Sequence, residues 1–402
     1  MILIVTAVFP PEPVVSAQIS HDLATVLSLG NDMVVICPMP TRPAGTIYKM
    51  EDDSNRSFRK VVLKSFTYPG SSFIGRMIES ISFGQACKKF IKEHSKEISV
   101  IYANTWPLFA QLSVAKACRK FNLPLVLHVQ DIYPETLTDK LGLAGVPLKK
   151  LLLPIDQYVL RTSRTVVVIG QKMAEFLSST RGIKMNKIAV INNWQDELRF
   201  TAKNHNSHTK EKFIFMYLGS LSPSANIESI IVAFGKAGLK NSRFIIAGNG
   251  NSKKSCINSA SKYPHLEIEF IDAPSESTME LLSLADVLVL PLKKGVGKYS
   301  IPSKLAGYMH ASKPVLAYID TDSDAANIVT NAGCGWVIAA GNESELVMKM
   351  RELETTPGTA LSMIGNAGRS YALKNLSKKT NLIRLVQIIE QETQECNAQL
   401  KE

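Results

Sequence analysis

Lys304 stands four residues after Ser300, in the stretch Tyr299-Ser-Ile-Pro-Ser-Lys-Leu-Ala-Gly-Tyr-Met-His310, where a polar loop opens into a short helical pattern. Ser300 can cap that helix, Pro302 suits its first turn, and Ser303 and Lys304 come next. The start of a helix offers unpaired N–H groups and the positive end of the peptide dipole, so a lysine beside it makes a seat for a diphosphate. A solvated surface lysine is the plainer alternative.

Two glycine sites belong with that lysine. Gly219 follows the apolar run Phe213–Leu218, and Gly248-Asn-Gly250 follows the run ending at Ala247. Each can bring backbone close to a ligand, and each is equally explained as a simple turn. The second pair is not a dinucleotide fingerprint, because Lys253 occupies the third glycine position. Three sites at the same end of successive strands argue for one shared pocket, since ligands of doubly wound sheets gather at that edge.

A third group lies in the first half, where His128-Val-Gln-Asp131-Ile-Tyr-Pro-Glu135 leaves an apolar run. A histidine and carboxylates at a strand exit can orient a hydroxyl or accept its proton. A buried, hydrogen-bonded His128 and a capping Asp131 form the rival explanation. The proline-stiffened loop Phe9–Ser16 ends on a serine placed to cap the following helix.

These residues need a scaffold that brings strand ends together. Apolar runs alternate with helical patterns along the whole chain, which predicts parallel sheets covered by helices. Strands are expected at Ile2–Thr6, Met33–Cys37, Val100–Tyr102, Leu125–His128, Thr165–Ile169 and Ile188–Ile191. The alternation restarts at Phe213–Leu218, Arg243–Ala247, Leu266–Ile271, Val287–Leu290, Val315–Ile319 and Gly335–Ile338. Between the two series, residues 201–212 are polar throughout and read as a linker. The expected domains are therefore 1–200 and 213–375, facing across a cleft, with 376–402 as a terminal helix. Segment 42–57, polar and holding Pro43 and Gly45, is expected to be an exposed loop.

Composition narrows the function classes. With 402 residues and 45% hydrophobic content, two ordinary globular domains fit. No signal peptide or stretch of about eighteen apolar residues is visible, so a cytoplasmic protein is expected. Six scattered cysteines form no metal-binding spacing, and reduced thiols are expected. The net charge of +11 is concentrated in residues 1–200, which hold 24 Lys and Arg against 16 Asp and Glu. Such a balance suits an anionic membrane surface or a phosphorylated substrate. Nucleic acid is disfavoured because no binding motif accompanies the charge. Two stretches, 76–96 and 141–164, mix basic and apolar residues. In the second, Leu148, Leu151, Leu152 and Ile155 form a stripe beside Lys149 and Lys150, as in a helix lying on a membrane or an ordinary packed one.

The chain resembles bacterial retaining glycosyltransferases of family 4, which have the GT-B fold of two Rossmann-like domains and build O-antigens, capsules and exopolysaccharides. The resemblance rests on Phe9–Ser16, His128–Pro134, Val190–Trp194, Tyr217–Gly219, Ala247–Gly250, Ala285-Asp286 with Pro291, and Pro302–Lys304 through Val315. It implies a nucleotide-sugar donor, UDP-linked, whose diphosphate is held by Lys304 and the groups at Ser300 and Ser303. It also implies that Gly219, Gly248 and Gly250 line the nucleotide pocket, that His128 and Asp131 face sugar and acceptor, and that the last helix returns to the first domain. A polyprenyl-diphosphate-linked glycan acceptor, contact with the inner face of the cytoplasmic membrane, and no cofactor or metal are further implications.

The chain departs from the family at two places. The positions that often carry a pair of glutamates hold Tyr299 and Gly307, and Ser222–Asn226 lacks the usual basic residue after Gly219. Lys293, Lys294 and Lys298 are candidates for the missing charge. Two other readings stay open: a nucleotide-sugar 2-epimerase of similar architecture, and a non-catalytic scaffold.

Overall fold

A computed structural model describes residues 1–42, 48, 57–70, 72–104, 107–200, 211–272, 278–297, 299 and 301–399. Its elements run β1 (Ile2–Thr6), α1 (Val15–Leu27), β2 (Met33–Cys37), β3 (Arg59–Val62), α2 (Phe73–Glu93), β4 (Val100–Asn104), α3 (Leu108–Phe121), β5 (Leu125–Val129), α4 (Glu135–Thr138), α5 (Gly145–Thr162), β6 (Thr165–Val168), α6 (Gln171–Arg181) and β7 (Ile188–Val190). They continue with β8 (Phe213–Leu218), α7 (Ile227–Ala237), β9 (Ser242–Ala247), α8 (Lys253–Ala260), β10 (Glu267–Ile271), α9 (Thr278–Leu284), β11 (Val287–Pro291), α10 (Ser303–His310), β12 (Val315–Ile319), α11 (Asp324–Asn331), β13 (Gly335–Ala339), α12 (Glu343–Glu354), α13 (Gly358–Asn375) and α14 (Lys378–Gln399).

The chain divides into two compact units, Met1–Asn193 with Asn381–Glu402, and Trp194–Thr380. In the first, seven parallel strands stand in the order β3-β2-β1-β4-β5-β6-β7. Strands β1, β2 and β4 are buried on both faces, which is why each reads as a continuous apolar run rather than an alternating one. Strand β3 went unrecognised in the sequence because Arg59-Lys-Val-Val is an edge strand, half-exposed and basic. Most of segment 42–57 lies outside the described residues. Helix α14 completes this unit: Arg164 pairs with Glu392 at 2.7 Å and with Glu395, while Leu385 and Ile389 are buried.

The second unit holds six parallel strands in the order β10-β9-β8-β11-β12-β13. Along β8, Phe215 and Tyr217 pack with Phe234 and Phe244, whereas Met216 packs with Leu288 and Leu305. Alternate residues thus enter cores on opposite faces of the sheet.

Each sheet reverses direction once, at β1/β4 in the first unit and β8/β11 in the second. Crossovers leave to opposite faces there, so a crevice opens beyond the carboxyl ends of the two strands. Strands β8 and β11 pair only at Phe215–Val287 and Met216–Leu288 and then separate. This leaves the peptide groups of Leu218 without a strand partner on that side. The Tyr308 hydroxyl replaces one: it accepts from Leu218 N at 3.0 Å and donates to Leu218 O at 3.1 Å.

Candidate functional site

The crevice of the second unit is built from three loops. Gly219, at φ 151, leaves β8 and donates its N–H to Ala247 O at 2.9 Å. Leu221 N bonds Asn249 O, and Ser252 N bonds Leu221 O, both at 2.9 Å, so the Gly219–Leu221 segment is laced to the loop after β9. That lacing explains the glycines. A Cβ on Gly248 would lie 2.1 Å from Gly219 O, and one on Gly250 would lie 2.3 Å from Leu221 O. Both also adopt positive φ, 139 and 155. Their absent side chains therefore let two loops touch. Lys253, which breaks the dinucleotide fingerprint, is spent on Asp272 at 2.9 Å and Asn249 at 2.7 Å.

Lys304 enters from α10. Pro302 holds the N-cap and Ser303 is the first helical residue, so the helix starts later than a Ser300 cap and a first-turn Pro302 required. Proline has no N–H to lose, and Pro302 sits in extended geometry at φ −60, ψ 125. Ser300 and Lys298 lie outside the described residues. Ser303 is exposed, and its carbonyl accepts from Gln195 Nε2 at 3.2 Å.

The Lys304 side chain runs back to the Gly219 loop. Its Nζ lies 4.3 Å from the centre of the Tyr217 ring and donates to the Tyr217 hydroxyl at 2.7 Å. That hydroxyl in turn donates to Ser220 O at 2.7 Å. Nζ would be 2.9 Å from a Cβ on Gly219, so a side chain there would push the ammonium aside, and φ 151 favours glycine in any case. Among the described residues no carboxylate pairs with it, and burial brings its pKa down to about 8. The arrangement gathers a desolvated cation and the start of a helix at a switch point. It suits a diphosphate. Neither Tyr217 nor Tyr308 was given a role from the sequence, although Tyr217 opens the Tyr217–Gly219 motif. At Gly307, a Cβ would rest 3.4 Å from the Phe200 ring, so an aromatic side chain faces the position where the resemblance led to the expectation of a glutamate.

In the first unit His128 is 0% exposed within β5, and burial lowers its pKa to about 3. Its Nδ1 is 2.6 Å from the buried Tyr102 hydroxyl, and Nε2 is 3.4 Å from Gln130 Nε2. Gln130 also bonds Asn104 and Asn193, and Asn104 Nδ2 reaches Ser16 O and Ser20 Oγ. A neutral imidazole held in this network ties strand ends together. Glu135 is likewise structural, paired with buried Arg181, which also holds Asp156 at 2.7 Å and Tyr133 O at 2.8 Å. Ser16 lies inside α1, whose N-cap is Val14.

Asp131 is placed differently. It is exposed and lines a cavity of about 540 Å³ over the β1/β4 switch point, with Ala7 and Val8 after β1 and Pro107 after β4. The expected leucine stripe on α5 is split, with Leu152 buried in that cavity wall and Leu151 70% exposed. Among the described residues no group of His, Cys, Asp and Glu could hold a metal, and no helix is long and apolar enough to cross a membrane. The six cysteines are free and buried.

Residues 19–197 match the family model Glycosyltransferase Family 4, and residues 199–371 match Glycosyl transferases group 1. The chain carries the two domains of a GT-B glycosyltransferase. A curated relative, the probable glycosyltransferase WbjE of Pseudomonas aeruginosa, is 25% identical over 273 residues, 64% of this chain and 66% of that protein, just under two thirds of its length. The solved structure of Anabaena Alr3699/HepE in complex with UDP superimposes with a TM-score of 0.72 at 15% identity, covering 97% of this chain and 99% of that one. WaaG, a glycosyltransferase involved in lipopolysaccharide biosynthesis, gives 0.69 at 15% identity, covering 97% and 99%. At these identities the two structures bear on the fold, and they agree with the doubly wound sheets of this GT-B chain.

Proposed function

We propose that the chain transfers a sugar from a nucleoside-diphosphate sugar, UDP-linked, to a hydroxyl of a lipid-linked glycan in bacterial surface-polysaccharide assembly, with retention at the anomeric carbon. One observation carries the reading: the Lys304 ammonium lies half-buried beside a helix start, bonded to Tyr217 and, among the described residues, to no carboxylate. The matched transferase domains, the relative WbjE and the UDP held by the HepE structure support it.

In the reaction, the bond from sugar C1 to the β-phosphate oxygen breaks and its electron pair stays on the diphosphate. The acceptor oxygen bonds C1, and its proton passes to the departing phosphate. Lys304 and the N–H groups of Ser303 and Lys304 stabilise the charge that develops there, in the place a divalent cation takes elsewhere. Asp131 orients the acceptor hydroxyl. Phe73, Ile74 and Ile78 of α2 are exposed, as is Leu151 of α5, which follows Lys149 and Lys150 in sequence; such surfaces suit peripheral contact with the inner face of the cytoplasmic membrane. Cosedimentation with anionic vesicles checks this contact; equal binding by the Ile74→Glu/Leu151→Glu protein argues against it.

The function is tested with a thermal-shift panel of nucleotide sugars, because a ligand of the native state raises Tm. The matching donor raises Tm of the wild type and not of Lys304→Ala. A donor labelled in its sugar then separates transfer from epimerisation: label must move to the lipid acceptor. Stabilisation by no nucleotide sugar would sink the proposal.

A further inference from the structure

Along the edge that faces β11, strand β8 is bonded by three different partners. Ile214 N donates to the Asp286 carboxylate at 2.8 Å, and Ile214 O accepts from Asp286 N at 2.9 Å. The ladder to β11 then covers Phe215 and Met216. Leu218 is left to the Tyr308 hydroxyl, while Gly219 N, one residue on, bonds Ala247 O on the opposite side.

Tyr308 comes from α10, one turn after Lys304, and residues four apart share a helix face. Lys304 reaches the Tyr217 hydroxyl, and that hydroxyl reaches Ser220 O, each at 2.7 Å. One face of α10 therefore grips Tyr217, Leu218 and, through Tyr217, Ser220, on both sides of Gly219. Tyr308 is 1% exposed, and burial holds its pKa well above the ordinary tyrosine range, so it keeps the proton it gives to Leu218 O. Its ring packs with Met216, Leu288 and Leu305, a space phenylalanine would fill equally well. The hydroxyl answers a different need. Without it the Leu218 N–H and C=O would meet a ring edge, and the segment would have to shift or admit water.

We propose that Tyr308 is a positioning residue of the donor site: by standing in for β11 at the end of β8, it holds the Gly219 segment under the Lys304 ammonium and keeps the diphosphate seat formed. The assignment rests on the glycosyl-transfer reading and deepens it by naming the group that fixes the loop against the helix start. Tyr308 acts through the peptide groups of Leu218, since it is buried. A second tyrosine in the same sheet provides the structural reference. Tyr318 of β12 is 3% exposed, and its hydroxyl accepts from Gly341 N at 2.8 Å, after β13. It too bonds a peptide group beyond a strand end, but it stands two strands from β8.

The test compares Tyr308→Phe with Tyr318→Phe in the full chain. Both should lower Tm, because each deletes a buried hydroxyl that bonds the backbone. Calorimetric titration with UDP should show affinity about tenfold lower in Tyr308→Phe only. Competitive acetylation of Lys304 over a pH series, without ligand, gives a readout that stability alone does not move. Its midpoint, near pH 8 in the wild type, should rise in Tyr308→Phe as water reaches the ammonium, and stay in Tyr318→Phe. Unchanged UDP affinity in folded Tyr308→Phe would overturn the proposal and leave glycosyl transfer standing, as would an equal loss in Tyr318→Phe. A wild type that binds no UDP, with the acetylation midpoint raised in Tyr308→Phe alone, would remove the donor reading and support the positioning. Amide exchange on the wild type tests the contact with no substitution at all: Leu218 N–H should exchange as slowly as Met216 N–H, and exchange as fast as that of exposed Ser220 would overturn it.

Discussion

Lys304 and Tyr217, 87 positions apart in the chain, meet through a hydrogen bond of 2.7 Å and a ring-face contact of 4.3 Å. A phenol and a π-face are weak substitutes for a carboxylate, so the ammonium is held in place without being neutralised. The cost falls on the ligand-free protein. Lys304→Met should therefore raise Tm in the absence of ligand while abolishing the Tm increase given by a nucleotide sugar. Differential scanning fluorimetry with and without donor reads both; a fall in ligand-free Tm would show that the lysine stabilises the fold.

The same lysine sets a pH dependence. Its pKa in the free protein is about 8, below the ordinary lysine value, through burial. A bound diphosphate favours the charged form and raises that pKa. Donor affinity should be flat below pH 8 and fall up to about tenfold per pH unit above it, until the pKa of the complex is reached. Lys304→Arg, charged throughout, should flatten the profile. Titration calorimetry from pH 6.5 to 9.5 decides.

Gly248→Ala places a methyl 2.1 Å from Gly219 O at φ 139. The two loops must part, at a cost of about 1–3 kcal/mol. Both stability and donor binding should fall together, because the Gly219 segment also lies under the Lys304 ammonium. Chemical denaturation and the donor thermal shift measure the two effects. Loss of binding with no loss of stability would point instead to direct ligand contact at Gly248.

His128 offers a sharper contrast between structure and catalysis. His128→Leu leaves the buried Tyr102 hydroxyl without its partner, costing about 1–3 kcal/mol, with turnover of the folded fraction retained. The pH sign is fixed by the lowered pKa: the unfolded state takes up a proton below about pH 6.5 and the native state only near 3. The stability held above pH 6.5 is lost as pH falls toward 3, and the His128→Leu protein should lose less over that window. Urea melts at pH 5 and 7 compare them.

Arg181 is 2% exposed and carries Glu135, Asp156 and the carbonyl of Tyr133. Arg181→Met strands buried Asp156 and leaves Glu135 only Lys149, at 3.4 Å, at a cost of about 3–5 kcal/mol. Because these bonds anchor the segment after β5, acceptor-dependent activity should fall more than donor binding. Equal loss of both would argue for global unfolding alone.

Most strands were legible because parallel strands covered on both faces have to be apolar at every position, as Ile2–Thr6 and Val315–Ile319 are. Arg59–Val62 was not, since an edge strand has no such demand. Lys304 could be picked out because a helix start and a lysine are local features. Its partner Tyr217 could not, because their meeting depends on a crossover between distant strands. The surroundings of His128 were hidden for a related reason. A histidine near a strand exit looks the same in sequence whether its ring meets solvent or Tyr102 on the neighbouring strand.

Asn381–Glu402 belong with Met1–Asn193. The first unit is thus left unfinished until α14 has been made, with the sites on Arg164 and the surface beneath Leu385 and Ile389 still bare while the whole intervening unit emerges. A stop codon just ahead of α14 would spoil the first unit more than the second.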